Sequence, residues 1–153
     1  MRALGVDYGR KRIGLALSDA SGTLARPWKT IPGSGDPVQS ARALGEVVRA
    51  LQQGDEAVAT IVLGAPRRLS GEPNAQTLTV ARLAEQLRRL VALPVILQDE
   101  RLSSHEADAV LARSEKDWRK RKTMLDAMAA AVILQDYLDS QQPLRALAED
   151  DLA

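Results

Sequence analysis

The first eighteen residues constrain the fold of this chain of 153 residues more than any other stretch. Two apolar runs, residues 2–8 and 12–18, have the composition of strands, and the short turn at Gly9-Arg10 joins them as antiparallel neighbours. A third run, residues 23–31, contains Pro27, which cannot donate to a central ladder. The chain is therefore predicted to begin with a three-stranded meander whose third strand is an edge.

The rest of the chain alternates helices with single strands. Asp36 and Pro37 are a typical helix start, and short apolar runs rich in β-branched residues are typical of buried strands. The first predicted helix runs from Pro37 to about Leu51, and it is followed by a strand over 58–63 that Gly64-Ala65-Pro66 breaks. A helix over about 74–91 and a strand after Pro94, ending at Gln98-Asp99-Glu100, come next. The last predicted elements are a short helix capped by Ser103 and Glu106, a charged loop over 113–122 and a final helix to about Ser140. The order βββαβαβα predicts an α/β fold in which a mixed five-stranded sheet carries helices on both faces.

Composition excludes several classes of protein. The absence of cysteine removes disulfides, zinc fingers and thiol catalysis, and a single histidine, His105, disfavours a histidine-based metal site. Any metal should be a hard cation bound by carboxylates. The N-terminus is no signal peptide and the longest apolar run, residues 127–134, is too short for a bilayer, so a cytoplasmic protein without a membrane partner is predicted. Residues 1–141 are predicted to form one domain, followed by an acidic tail over 142–153.

Basic residues are clustered, although the net charge is only +1. Without the three acids of the tail, 21 basic residues stand against 17 acidic ones, a net +4. Any one cluster could be a solvated surface, but together they favour a polyanion such as nucleic acid. The clusters are Arg10-Lys11-Arg12, Arg67-Arg68, Arg88-Arg89 and Arg119-Lys120-Arg121-Lys122.

Three acids stand at unusual positions. Asp7 ends the first strand, Glu100 ends the last, and Asp126 opens an alanine-rich helical face that should pack on the sheet. Each has an ordinary alternative: a turn residue for Asp7, an ion pair with Arg12 or Arg101 for Glu100, a helix N-terminal acid for Asp126. If they converge, their repulsion calls for Mg²⁺ or Mn²⁺, and two such ions ~4 Å apart can hold an attacking water and a leaving oxygen in line.

Four segments, VDYGRKRIGLALSD, VLGAPRRLSG, LQDERLSSHEA and RKRKTMLDAMAAAVILQDYL, resemble the successive motifs of the YqgF/RuvX family. The resemblance runs from Leu4 to about Leu138. It implies a ribonuclease-H-like fold and a nuclease, the family being described both as Holliday junction resolvases and as pre-16S rRNA nucleases. It also implies that Asp7, Glu100 and Asp126 are the catalytic, metal-binding acids, with Arg12, Arg101 and Ser104 beside them.

Two features depart from related patterns. Many ribonuclease-H-like enzymes take their second acid from the fourth strand, but here that acid is Glu100 of the fifth. The VLGAPRRLSG loop carries Arg67 and Arg68 where many members have other residues. Its glycines, Gly64 and Gly71, could let the backbone approach a phosphate or could simply make a turn.

The basic loop over 113–122 is expected to order on nucleic acid. Trp118 could stack on a base or pack on the core, and both remain open. The expected nucleic-acid-binding residues are Arg10, Lys11, Arg12, Arg67, Arg68, Arg101, Ser104, Trp118, Arg119, Lys120, Arg121 and Lys122. His105 is given no chemical role.

The resulting hypothesis is a metal-dependent nuclease that processes the 5′ end of pre-16S rRNA. The alternatives are a resolvase of branched DNA and a non-catalytic RNA-binding module. An actin-like or sugar-kinase ATPase also uses D-x-G near a hairpin, but needs about twice this length. The sequence leaves the choice between monomer and homodimer undecided, and no remaining apolar stripe demands a dimer.

Overall fold

The computed structural model describes residues 1–66, 75–100 and 118–152, with side chains over 1–66, 75–100 and 124–142. Within these ranges the chain forms five strands and three long helices. In chain order they are β1 (Arg2–Tyr8), β2 (Arg12–Ser18), β3 (Ala25–Pro32), α1 (Pro37–Gln52), β4 (Val58–Ala65), α2 (Ala75–Leu90), β5 (Val95–Asp99) and α3 (Trp118–Leu152).

The five strands form one mixed sheet in the order β3-β2-β1-β4-β5. The β1–β2 and β2–β3 pairs are antiparallel, whereas β4 is parallel to both β1 and β5. This arrangement confirms the predicted mixed sheet and the edge position of the strand that contains Pro27. The side chain of Asp36 accepts a hydrogen bond from the amide of Val38, as an N-cap should, and Pro37 begins α1.

Each face of the sheet is covered by helices, as predicted. Helices α1 and α2 bury large aliphatic side chains against one face, among them Leu4, Leu15, Leu44, Leu63 and Leu87. Helix α3 packs on the other face through a smaller cluster that contains Ala3, Ala16, Val62, Ala130 and Leu134. Because period-two alternation sends neighbouring side chains to opposite faces, β1 and β2 present large residues to α1 and α2 and small ones to α3.

Strand β4 is longer than predicted. It continues through Gly64 to Ala65 because these residues pair with Gln98 and Asp99 of β5, and this ladder outweighs the low strand propensity of glycine. The predicted break at Gly64-Ala65-Pro66 is therefore wrong by two residues.

Helix α3 is longer than predicted at both ends. It begins at Trp118, inside the predicted loop over 113–122, and continues past Ser140 to Leu152. Lysine and arginine are good helix formers, so a run of bases need not be a loop. The predicted short helix at Ser103–Glu106 lies outside the described residues, and the acidic tail over 142–153 stays a prediction as a separate unit. Although α3 has 35 residues, neither it nor another described helix has an apolar stretch able to cross a membrane.

Candidate active site

Asp7 lies between two glycines on the face of the sheet that α3 covers. In β1 it pairs directly with Gly14 of β2. On the other side, the β1–β4 register runs to the pair Val6–Leu63, so that Asp7 and Gly64 follow as the next two residues. Laterally adjacent residues of a sheet point to the same face, so Asp7 is flanked by two positions without a side chain.

The space above Gly14 is filled by the backbone of α3 at Asp126. A Cβ atom on Gly14 would lie 1.9 Å from the carbonyl oxygen of Asp126 and 2.2 Å from its carbonyl carbon. Only a residue without a side chain allows the helix to come so near. This contact brings Asp126 to the strand position beside Asp7.

The space above Gly64 is filled by the side chains of Ile133 and Glu100. A Cβ atom on Gly64 would lie 3.0 Å from Glu100 Oε1 and 2.5 Å from Ile133 Cδ1. The amide of Glu100 donates a hydrogen bond of 2.9 Å to the carbonyl oxygen of Ala65, which anchors this residue at the end of β4. The missing side chain at Gly64 thus leaves room for the Glu100 carboxylate. The sequence had instead left open a contact between the Gly64 backbone and a phosphate.

The three acids interact electrostatically. Burial, then the charge of Glu100, a hydrogen bond with Glu100 and the charge of Asp126 together raise the pKa of Asp7 to about 8. These surroundings favour the protonated form of Asp7, which is hydrogen-bonded to Glu100. Residues 7, 100 and 126, remote in the chain, meet at one end of the sheet.

Arg12 binds the third acid. Its Nε donates a 2.7 Å hydrogen bond to Oδ2 of Asp126, and the two side chains are 41% and 24% exposed. The sequence had proposed Arg12 for nucleic acid and, as an alternative, as a partner of Glu100. In the structure its partner is Asp126.

The described residues contain no preformed metal cage. Among the side chains described, those of 1–66, 75–100 and 124–142, no three His, Cys, Asp or Glu residues form a group that could hold an ion as they stand. The surroundings favour a proton on Asp7, and the guanidinium of Arg12 pairs with Asp126. Placing a divalent ion among them would require displacing that proton and changing the Arg12 contact.

Apart from Arg12, which pairs with Asp126, the predicted nucleic-acid-binding residues fall into three groups. Arg10 and Lys11 are exposed in the turn between β1 and β2, next to Asp7. Residues 118–122 lie in the first turns of α3, and their side chains are not among those described. The remaining four, together with His105, lie outside the described residues: Arg67, Arg68, Arg101 and Ser104.

Sequence reasoning missed Gly14 and Gly64 as residues that shape the site. A signal was present at Gly14, because β2 alternates large residues with Gly14 and Ala16. That alternation indicates a sheet face to which another backbone comes close. At Gly64, the glycine together with Pro66 two residues later suggested a turn, and the strand was not recognised.

The sheet order, the helices on both faces and the acids at the ends of β1 and β5 define a ribonuclease-H-like fold. RuvC from Thermus thermophilus shares this fold with a TM-score of 0.54 at 13% sequence identity, over 94% of this chain and 97% of that chain. T. thermophilus RuvC in complex with a Holliday junction substrate aligns with a TM-score of 0.50 at 16% identity, over 92% and 95% of the two chains.

The chain belongs to the RuvX family, whose model, described as Holliday junction resolvase, matches residues 1–140. A relative from Thermoanaerobacter pseudethanolicus is 38% identical over 143 residues, which cover 93% of this chain and 99% of the relative. One from Leifsonia xyli is 40% identical over 139 residues, covering 91% and 86%. Both are named "Putative pre-16S rRNA nuclease". These matches confirm the family resemblance seen in the motifs.

Proposed function

We propose that this protein is a divalent-metal-dependent nuclease of the bacterial cytoplasm that hydrolyses phosphodiester bonds in structured RNA, with 5′-end processing of pre-16S rRNA as its role. The observation that carries the proposal is the convergence of Asp7, Glu100 and Asp126 on one sheet face. The family and the names of the relatives support a hydrolase that acts on nucleic acid.

The donor set suits a hard divalent cation. Carboxylate oxygens are the ligands that Mg²⁺ and Mn²⁺ prefer, and burial together with the charges of Glu100 and Asp126 raises the pKa of Asp7, a penalty on its charge that a bound cation would offset. Asp7, Glu100 and Asp126 would hold the ions, with Asp7 lying between the other two acids. When bound, the ions would polarise the phosphate and lower the pKa of a bound water.

The chain itself supplies orientation. Asp7 is fixed in a paired strand, Glu100 is anchored to β4 through its amide, and Asp126 is held by the contact of α3 with Gly14. Rigid placement of reacting groups lowers the entropic cost of reaching the transition state. The exposed Arg10 and Lys11 at the same end of the sheet would hold the phosphate backbone without reading sequence.

The start of α3 supports a polyanionic substrate. Its first turn contains no acid and residues 119–122 are all basic, an arrangement that the helix macrodipole disfavours. Asp126 follows Trp118 by eight residues, or ~12 Å along the helix axis. A phosphate backbone lying across these turns would relieve the charge and reach the acids.

Cleavage of a four-way DNA junction is the second candidate, favoured by the description of the family model as a Holliday junction resolvase. A binding module without activity is less well supported, because clustered acids without a cation repel a polyanion. The alternatives differ in substrate and in metal requirement.

A cleavage assay separates these functions. Labelled RNA spanning the 5′ end of 16S rRNA and a labelled four-way DNA junction are incubated with the protein in Mg²⁺, Mn²⁺ or EDTA. We expect RNA cleavage with either ion, none in EDTA, and little cleavage of the junction. Selective cutting of the junction would transfer the proposal to the resolvase, and binding without any cleavage would contradict a nuclease.

A further inference from the structure

Arg12 occupies an unusual place, since it is a cation bound directly to an acid that the proposed function assigns to a metal. It lies on β2 two residues before Gly14, and period-two alternation puts both on the face covered by α3. Asp126 lies directly above Gly14, so the Arg12 side chain reaches the Asp126 carboxylate from the same face.

The contact engages one oxygen of Asp126, Oδ2, through Nε of Arg12 at 2.7 Å. A divalent ion that binds Asp126 would meet the guanidinium at close range, and two cations so near repel each other. The ion and Arg12 therefore compete for the same carboxylate. Losing this partner is not costly for Arg12, because its side chain is already 41% exposed.

A guanidinium released at this position would have a natural second partner. Arginine binds phosphate through a planar set of donors, often with two hydrogen bonds at once. Arg12 follows the exposed Arg10 and Lys11 and lies beside the acids, so a phosphate presented for cleavage would come within reach of its side chain.

We propose that Arg12 is a positioning residue that exchanges partners: it neutralises Asp126 until a divalent cation binds, and the cation then releases it to the substrate phosphate. This inference rests on the proposed function and adds to it a coupling between metal and substrate. Thermodynamic linkage requires that each then strengthens the binding of the other.

Arg12→Gln gives this exchange a signature that a purely structural residue would lack. Without the competing guanidinium, the affinity for Mn²⁺ alone, measured by calorimetry, is expected to rise ~5-fold or more, since a partly exposed ion pair contributes about 1 kcal/mol. The affinity of the variant for RNA in Ca²⁺, measured by anisotropy, is expected to be lower than that of the parent. The increase in RNA affinity when EDTA is replaced by Ca²⁺ should also be smaller in the variant.

Arg26→Gln is the matched control. Arg26 is also paired with a carboxylate, that of Glu56, but it lies in β3 opposite Leu17, at the other end of β2 from Arg12. The Arg26→Gln substitution removes the same charge as Arg12→Gln, but we expect it to leave the affinity for Mn²⁺ unchanged. Equal or weaker Mn²⁺ binding by Arg12→Gln, with normal binding and cleavage by the parent, would overturn the exchange and leave the proposed function intact.

A measurement on the parent protein covers the case in which Arg12→Gln folds poorly. The Nε–H resonance of Arg12, assigned by its loss in Arg12→Lys, should shift as Mg²⁺ saturates the site. A resonance that stays in place at saturating Mg²⁺ would overturn the exchange. A parent that takes up no divalent cation would overturn both this inference and the proposed function.

Discussion

Asp7→Asn is expected to reduce phosphodiester cleavage by at least ~1,000-fold and, at the same time, to make the protein more stable. Activity should fall because a neutral amide is a poor substitute for the carboxylate that would help to hold the metal. Stability should rise because the fold no longer has to accommodate a carboxyl group whose charged form is disfavoured by burial and by Glu100 and Asp126.

The gain in stability should depend on pH. The pKa of Asp7 rises from 3.8 to about 8 on folding, so folding favours the protonated form. The parent therefore loses stability as the pH rises from the unfolded-state value towards about 8, a loss that Asp7→Asn avoids. We expect the two melting temperatures to be similar near pH 4 and to differ by at least ~5 °C near pH 9.

Asp36→Asn is the matched control for the same chemical change. Asp36 caps α1, and asparagine is an equally good N-cap, so both activity and stability should stay near the parent values. An Asp7→Asn protein that cleaves as fast as the parent would remove Asp7 from the active site. One that melts lower at high pH would contradict the charge repulsion.

Gly14→Ala is expected to have the largest effect on the fold. The new methyl group would lie 1.9 Å from the backbone oxygen of Asp126, so α3 would have to move away from the sheet. Overpacking costs up to ~3 kcal/mol, and a side chain that collides with the backbone of a helix belongs at the upper end of that range. Because the shift also displaces Asp126, cleavage should be lost even in molecules that fold.

Urea unfolding and cleavage assays test this expectation, and Gly45→Ala provides the control. Gly45 lies inside α1, where the nearest atoms to an added Cβ are those of Leu90 at 3.9 Å. The same substitution there should stabilise the protein by about 0.5–1 kcal/mol through helix propensity and leave cleavage unchanged. Normal stability and activity of Gly14→Ala would show that the contact with α3 does not position the site.

Much of the fold could be predicted because it depends on local pattern. Alternation and β-branched runs located the strands, and Asp36-Pro37 located the start of α1. Local pattern failed where strand pairing or helix propensity determined the structure. Gly64 is held in β4 by its pairing with β5, and the basic residues 119–122 form the first turns of α3 instead of a loop.

The candidate site was predicted only in part, for a related reason. The positions of Asp7, Glu100 and Asp126 at element ends, together with the motifs, indicated that they meet. The contacts of these acids with the glycines and with Arg12 depend on the distance and angle at which α3 packs on the sheet. No local sequence pattern encodes that distance or angle. The partner of Arg12 lies 114 residues away, so sequence offered Glu100 and could not choose Asp126.

The most direct test of the account is a carbon NMR titration of the Asp7 carboxyl group with and without Mg²⁺. Without metal, we expect the pKa of Asp7 to be about 8, because the carboxyl group is buried and Glu100 and Asp126 lie beside it. Saturating Mg²⁺ should lower this midpoint strongly, since the ion competes with the proton for the carboxylate. An ordinary acidic midpoint that Mg²⁺ does not move would show that the three acids neither meet nor share a metal.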